Sequence, residues 1–217
     1  MVENIPGVRL IPMSGWSMTG QAIGTPYESS LERDFLALVM FDEDVTGLQA
    51  QPLKIRFVDA QGKTRSYIPD VRIIFRTKPC LLCEVKYRRE LDKGKVSLEE
   101  RLAAGRAYCE PLGWSFDVFD EHRIRTPRLK NINFLWRHYV SERNPTSPFE
   151  HAILAAFAAR GDAPATQASI LNGLYSDVMQ RGRAIWVWWH MVAHKKLGCD
   201  LDEPLSEATE YWPAAVN

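Results

Sequence analysis

The stretch YIPDVRIIFRTKPCLLCEVKYRRE, residues 67–90, combines two strongly apolar segments with three charged side chains. Asp70 lies at the start of the first segment, and Glu84 and Lys86 lie at the end of the second. Ionised side chains are rarely buried in a sheet unless they are paired or bind a ligand. These three charges therefore need a structural or chemical explanation.

The two apolar segments predict an antiparallel hairpin that brings the three charges together. Glu84 and Lys86 share one face of their strand, because residues i and i+2 point to the same side, and Val85 points to the other. The turn RTKP, residues 76–79, joins the two strands and places Asp70 near Glu84. Pro69 lacks an N–H group, so we expect the first strand to bend just before Asp70.

Two carboxylates and an ammonium group at one end of a sheet favour binding of a divalent cation. Ionised carboxylates at close range repel each other, and their hard oxygen atoms suit Mg²⁺, with Mn²⁺ as a substitute. Such an ion polarises a phosphoryl oxygen and activates water, while a lysine stabilises the negative charge that develops at phosphorus. The alternative is a solvent-exposed Glu–Lys pair at a strand end, which contributes about 0.2–1 kcal/mol.

The flanking segments predict an α/β domain. Helical spacing of apolar residues predicts a helix over residues 27–41, beginning at Ser29 or Ser30. The other predicted elements are strands at 53–59, 65–75 and 80–87, a helix at 97–113 and a strand at 114–119. We expect the last strand to pair in parallel with the 80–87 strand, because a helix connects the two.

The rest of the chain predicts an N-terminal arm over residues 1–26 and a small helical domain over 144–217, with the α/β domain spanning 27–143. Helices are predicted at 147–161, 166–175 and 183–198, followed by a possible wing. His190 and His194 have a spacing that can bind a metal ion, but packing inside the small domain is the alternative.

Composition restricts the classes of function. Lys plus Arg equals Asp plus Glu at 27 each, so any nucleic-acid binding must come from local patches. There is no apolar run of membrane-spanning length and no pattern of a signal peptide, which predicts an intracellular protein that does not bind membranes. The four cysteines are expected to be free thiols.

The arrangement Pro69-Asp70, thirteen residues, then Glu84-x-Lys86 resembles the PD-(D/E)xK nuclease superfamily, which has the restriction-endonuclease-like fold. Further residues resemble one branch of it, the TnsA endonucleases of heteromeric transposases. They are the helix motif SLERDFL at 30–36, Gln51-Pro52 before the 53–59 strand, and Glu84-Val85-Lys86.

This resemblance implies roles for particular residues. The implied catalytic residues are Glu32, Asp70, Glu84 and Lys86, and the implied metal ligands are Glu32, Asp70, Glu84 and the Val85 carbonyl. Glu28 is the alternative to Glu32, and Gln51 is expected to support the site. Basic residues with a possible role in DNA binding are Arg88, Arg89, Arg123, Arg125, Arg128 and Lys130, for which a solvated surface is the alternative.

The resemblance also implies a Mg²⁺-dependent endonuclease subunit that cleaves the 5′ ends of a transposon in the bacterial cytoplasm, associated with the nucleoid during transposition. Its implied partners are double-stranded DNA at the transposon ends, a DDE-type transposase, TnsB, and an AAA+ ATPase, TnsC. The C-terminal domain is expected to be winged-helix-like and to bind partners. The alternatives are a stand-alone restriction or repair nuclease and a catalytically degenerate assembly adaptor.

Overall fold

The structure is a computed structural model that describes residues 29–140 and 148–214. The predicted N-terminal arm and Glu28 lie outside the described residues. The chain divides into two compact units, the first ending at Arg125 and the second beginning at Thr126. No helix within the two described ranges is long and apolar enough to cross a membrane. The four cysteines are free thiols, as predicted.

The described residues of the first unit form four α-helices, six strands and a 3₁₀ turn at Glu110–Leu112. The helices are Ser30–Met40 (α1), Arg88–Leu91 (α2), Val96–Cys109 (α3) and Glu121–Ile124 (α4). The strands are Val45–Ala50 (β1), Ile55–Val58 (β2), Thr64–Tyr67 (β3), Val71–Phe75 (β4), Leu81–Val85 (β5) and Ser115–Phe119 (β6).

A mixed four-stranded sheet with the order β1-β4-β5-β6 forms the centre of this unit. Strand β4 pairs antiparallel with both β1 and β5, whereas β5 pairs in parallel with β6. The predicted hairpin and the parallel pairing across the α3 crossover are therefore confirmed. This mixed sheet flanked by helices is the expected restriction-endonuclease-like α/β fold.

One prediction about the strands was wrong, and one strand was not predicted. The predicted strand at 65–75 is broken, since β3 pairs with β2 in a separate two-stranded sheet and only β4 joins the main sheet. The break includes Pro69, which has no N–H group for a sheet hydrogen bond. Strand β1 was not predicted, because Gly47 and a register shift between Val45 and Gly47 obscure its pattern.

Helix α1 packs its apolar face into the unit and begins as the sequence predicts. Ser29 is the N-cap, and its hydroxyl accepts a hydrogen bond from the Glu32 N–H and donates one to the Glu32 carboxylate, each at 3.2 Å. Leu31 and Phe35 of this helix are buried. The ring of Phe35 lies 4.7 Å from that of Phe119 at the end of β6, so α1 is fixed beside the end of the sheet that carries Glu84.

The second unit is helical with a small sheet. Its described elements are helices Pro127–Tyr139 (α5), Pro148–Ala158 (α6), Gln167–Leu174 (α7) and Val178–Ala193 (α8), and strands Ala165–Thr166 (β7), Leu197–Cys199 (β8) and Glu210–Pro213 (β9). The sheet has the order β7-β9-β8 and is antiparallel. Phe157, Trp188 and Tyr211 are fully buried in its core.

The division between the units differs from the domain boundary expected after residue 143. Helix α5 packs against α8 and therefore belongs to the second unit. Its buried face includes Ile132 and Leu135, neither of which is accessible to solvent. The sequence analysis placed residues 126–143 in the α/β domain, whose predicted span is 27–143.

Acidification is expected to destabilise the second unit through His190. Burial, with a further effect of the nearby His194 and Lys196, lowers the pKa of His190 to about 4. Because the unfolded chain binds the proton at the ordinary pKa of about 6.5, stability is lost as the pH falls from about 6.5 towards 4. We expect a loss of roughly 1–2 kcal/mol, measured by urea unfolding at pH 7 and pH 4.5.

The matched variants for this test are His190→Gln and His151→Gln, since His151 is an exposed histidine of the same unit. His190→Gln should flatten the pH dependence of the unfolding free energy, whereas His151→Gln should leave it as in the wild type. An unchanged slope in His190→Gln would contradict the prediction.

The rings of His190 and His194 lie 4.1 Å apart in an aromatic cluster, and no group of three potential metal ligands occurs in the described parts of the chain.

Candidate nuclease site

Asp70, Glu84 and Lys86 meet at one end of the β4–β5 hairpin. The Lys86 Nζ atom lies 3.1 Å from Glu84 Oε1 and 3.8 Å from Asp70 Oδ2. The lysine therefore bridges two carboxylates that belong to neighbouring strands. This is the convergence that the hairpin and the strand periodicity predict.

The site is buried on the Glu84 side and open on the Lys86 side. The side chain of Glu84 is 2% exposed, against 26% for Lys86. A carboxylate buried to this extent excludes the alternative of an exposed Glu–Lys pair at a strand end. Burial of a charge without compensation costs several kcal/mol, so its partners must be strong ones.

Tyr67 is one of these partners, and its role was not predicted. Its hydroxyl donates a hydrogen bond of 2.5 Å to Glu84 Oε2, while Lys86 holds Oε1. Tyr67 ends β3 and is itself buried. Burial, reinforced by the charge of Glu84, raises the pKa of Tyr67, so its hydroxyl keeps its proton. The sequence does not distinguish Tyr67 from an ordinary core tyrosine. Its position three residues before Asp70 is the one sequence feature that places it near the site.

Backbone hydrogen bonds hold Asp70 from three directions. Its Oδ2 accepts a hydrogen bond of 2.7 Å from the Val85 N–H, and its own N–H donates to the Cys83 carbonyl at 3.1 Å. The Gln51 N–H donates to the Asp70 carbonyl at 2.7 Å. Gln51 has a φ of 45°, in the left-handed region that non-glycine residues seldom adopt. Gln51 thus contacts the site through its backbone, and the support expected of its side chain stays a prediction.

The electrostatics of the site favour binding of a cation. Burial, together with the charge of Glu84, raises the pKa of Asp70 to about 7, although Lys86 and the Val85 N–H oppose the shift. Burial also disfavours the charge of Lys86, but Asp70 and Glu84 outweigh it and raise the pKa of Lys86. Lys86 therefore keeps its ammonium group at neutral pH. Ionisation of Asp70 is disfavoured in the site as it stands and would be favoured by a cation bound beside it.

Glu32 lies near this group without completing a cluster of three ligands. It lies in the first turn of α1, and its charge contributes to the raised pKa values of both Asp70 and Lys86. One of its carboxylate oxygens accepts the hydrogen bond from Ser29. Within residues 29–140 and 148–214, no three His, Cys, Asp or Glu side chains are arranged to hold a metal ion.

Comparison with known protein families identifies the chain. A family model described as TnsA-like endonuclease N terminal matches residues 42–121, and a model described as TnsA endonuclease C terminal matches residues 123–201. The chain belongs to the TnsA endonuclease family. The resemblance inferred from the motifs is therefore confirmed, whereas no curated protein matches the chain. The boundary between the two TnsA models lies within a few residues of the division between the two compact units.

The residues of this TnsA chain fit a Mg²⁺ ion with two protein carboxylates. Mg²⁺ in phosphoryl-transfer sites is commonly bound by one or two carboxylates, with water and substrate phosphate oxygens as the other ligands. Asp70 and Glu84 supply the two carboxylates, and their mutual repulsion is what a cation would relieve. The roles implied for Glu32 and for the Val85 carbonyl stay predictions.

Most arginines expected to bind DNA form ion pairs within this TnsA chain. Arg88 pairs with Asp92 and Asp120, Arg123 with Asp117, Arg125 with Asp34, and Arg128 with Asp202. Arg123 makes two hydrogen bonds to Asp117 and lies 4.2 Å from the ring of Phe119. DNA contacts by these side chains would have to compete with the existing pairs. Arg89, which lies over the Tyr87 ring, and Lys130 stay predictions.

Arg125 has a structural role that the sequence did not reveal. Its guanidinium donates to Asp34 Oδ2 at 3.0 Å and to the Ser30 hydroxyl at 3.1 Å. Both partners belong to α1, so Arg125 fixes the first turns of the helix that carries Glu32. Asp34 also pairs with Arg33 at 2.8 Å.

Replacing Tyr67 with phenylalanine tests its contact with Glu84. We expect about a tenfold decrease in the cleavage rate with little change in KM, because Glu84 loses one of the groups that orient it. The unfolding free energy should fall by roughly 1–3 kcal/mol, since a buried carboxylate loses a hydrogen bond. The cleavage rate is measured under single-turnover conditions with the partner transposase present, and the unfolding free energy is measured by urea unfolding of the purified chain.

Tyr108→Phe is the matched control, because Tyr108 is a partly buried tyrosine packed near the same apolar cluster, against Trp114. It should cleave at the wild-type rate. Wild-type cleavage in Tyr67→Phe would show that the hydroxyl has no part in positioning Glu84.

Proposed function

We propose that this TnsA-family protein is the metal-dependent DNA endonuclease subunit of a heteromeric transposase and hydrolyses the strands at the 5′ ends of the transposon. The observation that carries the proposal is the bridge from Lys86 to the buried Glu84 and the partly buried Asp70 at adjacent ends of β5 and β4, in a chain of an endonuclease family. A catalytically degenerate adaptor would have no need of this costly arrangement of charges.

Each residue of the site has a proposed task. Asp70 and Glu84 hold Mg²⁺, for which Mn²⁺ can substitute, and Glu32 and the Val85 carbonyl are further candidate ligands. When bound, the ion would polarise a phosphoryl oxygen of the substrate and lower the pKa of a bound water molecule. Lys86 keeps its ammonium group oriented by Glu84 and Asp70, and its partly exposed end neutralises charge that develops on the phosphate. Tyr67 and the Val85 N–H keep the two carboxylates oriented.

The proposed substrate is double-stranded DNA at the transposon ends, and the proposed partners are a DDE-type transposase, TnsB, and an AAA+ ATPase, TnsC. We assign partner binding to the second unit, which we infer to be winged-helix-like. Its order of α6, β7, α7, α8, β8 and β9, with β9 between β7 and β8, supports this inference. The proposed location is the bacterial cytoplasm, at the nucleoid during transposition.

Strand-specific cleavage mapping tests this function. A labelled transposon-end duplex is incubated with the chain and Mg²⁺, with and without the partner transposase. We expect 5′-strand cleavage that depends on Mg²⁺ and on the partner, with 3′-strand cleavage assigned to the partner. Efficient cleavage of plasmid DNA by the chain alone would favour the stand-alone nuclease, and 5′-strand cleavage in a complex lacking this chain would favour the adaptor.

A further inference from the structure

A basic pocket lies directly beside Lys86 in the first unit. The cavity has a volume of about 400 Å³. Its lining residues, all from the segment that follows β5, are Lys86, Arg89, Glu90, Lys93, Lys95, Leu98 and Arg101. The lining thus carries five basic side chains and one acidic side chain. In a chain whose net charge is zero, this is a strong local concentration of positive charge.

The basic side chains of the pocket differ from the arginines discussed above in their partners. Within the described residues, no salt bridge to a carboxylate is present for Arg89, Lys93, Lys95 or Arg101. Arg101 donates to the Ser97 carbonyl at 3.1 Å, and Arg89 lies over the Tyr87 ring. Lys93 and Lys95 are exposed. Positive charges that are not neutralised by the protein can attract an anion from outside.

Lys86 belongs both to the pocket and to the candidate nuclease site. Its ammonium group contacts Asp70 and Glu84, while its side chain lines the cavity wall. An anion in the pocket therefore lies next to the position of the phosphate to be cleaved. In a DNA strand, the groups that occupy such a neighbouring position are the adjacent backbone phosphates.

We propose that the pocket formed by α2, the start of α3 and Lys86 binds a backbone phosphate of the cleaved strand, next to the scissile phosphate, through Lys93, Lys95, Arg89 and Arg101. This proposal rests on the proposed function and adds a substrate-positioning site to it. Contacts of this kind carry no sequence information, but they fix the register of the strand on the protein. Arg88, Arg123, Arg125 and Arg128 are paired with acids of the protein, so in this proposal the pocket beside Lys86 supplies the positive charge that binds DNA.

The first test measures DNA binding rather than cleavage. The full chain is titrated with a labelled transposon-end duplex in EDTA at several salt concentrations, starting at low salt. We expect Lys93→Gln/Lys95→Gln to weaken binding about tenfold and to lower the salt slope by about 1, because each phosphate contact contributes about 0.9 to that slope. Glu90→Gln should have the opposite effect and tighten binding.

The matched control is Lys63→Gln/Lys78→Gln, which removes the same charge from the β2–β3 turn and from the opposite end of β5. It should bind DNA nearly as the wild type does. Equal effects of the two double variants would overturn the proposal, as would an absence of DNA binding by the wild type at low salt. Cleavage that survives Asp70→Asn would instead overturn the proposed function, so the two failures can be told apart.

A second test identifies the source of the phosphate. Neutral methylphosphonate groups are placed singly at the positions that flank the cleaved bond. At the position that the pocket binds, the substitution should weaken wild-type binding and have no further effect in Lys93→Gln/Lys95→Gln. If that variant loses the binding of inorganic phosphate but keeps wild-type DNA affinity, the pocket binds free phosphate and the backbone-phosphate proposal fails.

Discussion

Replacing Asp70 with asparagine should decrease 5′-strand cleavage by about 10³-fold or more while leaving the protein at least as stable as the wild type. Asparagine keeps an oxygen that can accept the hydrogen bond from the Val85 N–H. It removes a buried negative charge that repels Glu84. Activity and stability should therefore change in opposite directions, as expected for a group placed for catalysis rather than for folding.

The pH dependence of stability gives this prediction a second measurement. The folded-state pKa of Asp70 is raised from 3.8 to about 7, so the folded protein holds that proton more tightly than the unfolded chain. Stability is then lost as the pH rises from about 4 to 7. In EDTA, the advantage of Asp70→Asn over the wild type should be larger at pH 7.5 than at pH 5, as measured by urea unfolding.

Asp44→Asn is the control, since Asp44 binds Thr77 and Lys78 at the opposite end of the sheet. It should retain 5′-strand cleavage. In the reconstituted transposase, Asp70→Asn should also spare 3′-strand cleavage by the partner. Normal 5′-strand cleavage by Asp70→Asn would refute the proposed site.

Replacing Lys86 with glutamine should lower both activity and stability. The variant leaves Glu84, which is 2% exposed, and Asp70 without the cation that bridges them. Removing one partner of a buried ion pair typically costs about 3–5 kcal/mol, and partial exposure of Lys86 places this case near the lower limit. We expect cleavage to fall by about 10²-fold, because the charge next to the phosphate is lost.

Divalent ions should partly rescue the stability of Lys86→Gln. A bound cation replaces the lost ammonium group between the two carboxylates, so Mg²⁺ or Ca²⁺ should raise the melting temperature of this variant more than that of the wild type. Lys78→Gln removes an exposed lysine from its pair with Asp44 and serves as the control. A Lys86→Gln protein that is as stable as the wild type, with no response to either ion, would contradict both the bridge and the metal site.

The arrangement of the site on its hairpin could be predicted from the sequence, because it depends on local periodicity. Glu84 and Lys86 are two residues apart on one strand, and a short turn returns the chain to Asp70. The parallel strand β6 could be predicted as well, since a single helix separates it from β5. These features involve residues that are close in sequence and follow from strand and crossover geometry.

The partners that stabilise the site could not be predicted, because they depend on long-range packing. Arg125 and Asp34 are separated by 91 positions, and neither charge carries a local pattern that selects the other. The same holds for Arg128 and Asp202, at 74 positions. Basic residues near the predicted site therefore suggested DNA contacts, whereas most of them pair with acids of the protein. Pro69 was recognised as a bend but not as the point where two sheets separate.

The break at Pro69 leaves the two carboxylates and their lysine on one short antiparallel hairpin, and this bears on the order of folding. Closing a small loop costs little chain entropy, so these groups can come together early. The position of Glu32 depends on α1, and the ion pair between Asp34 of α1 and Arg125 closes a far longer loop. We therefore expect the acidic pair to form before the helix docks, with hydrogen-exchange protection appearing in β4 and β5 ahead of α1 during refolding.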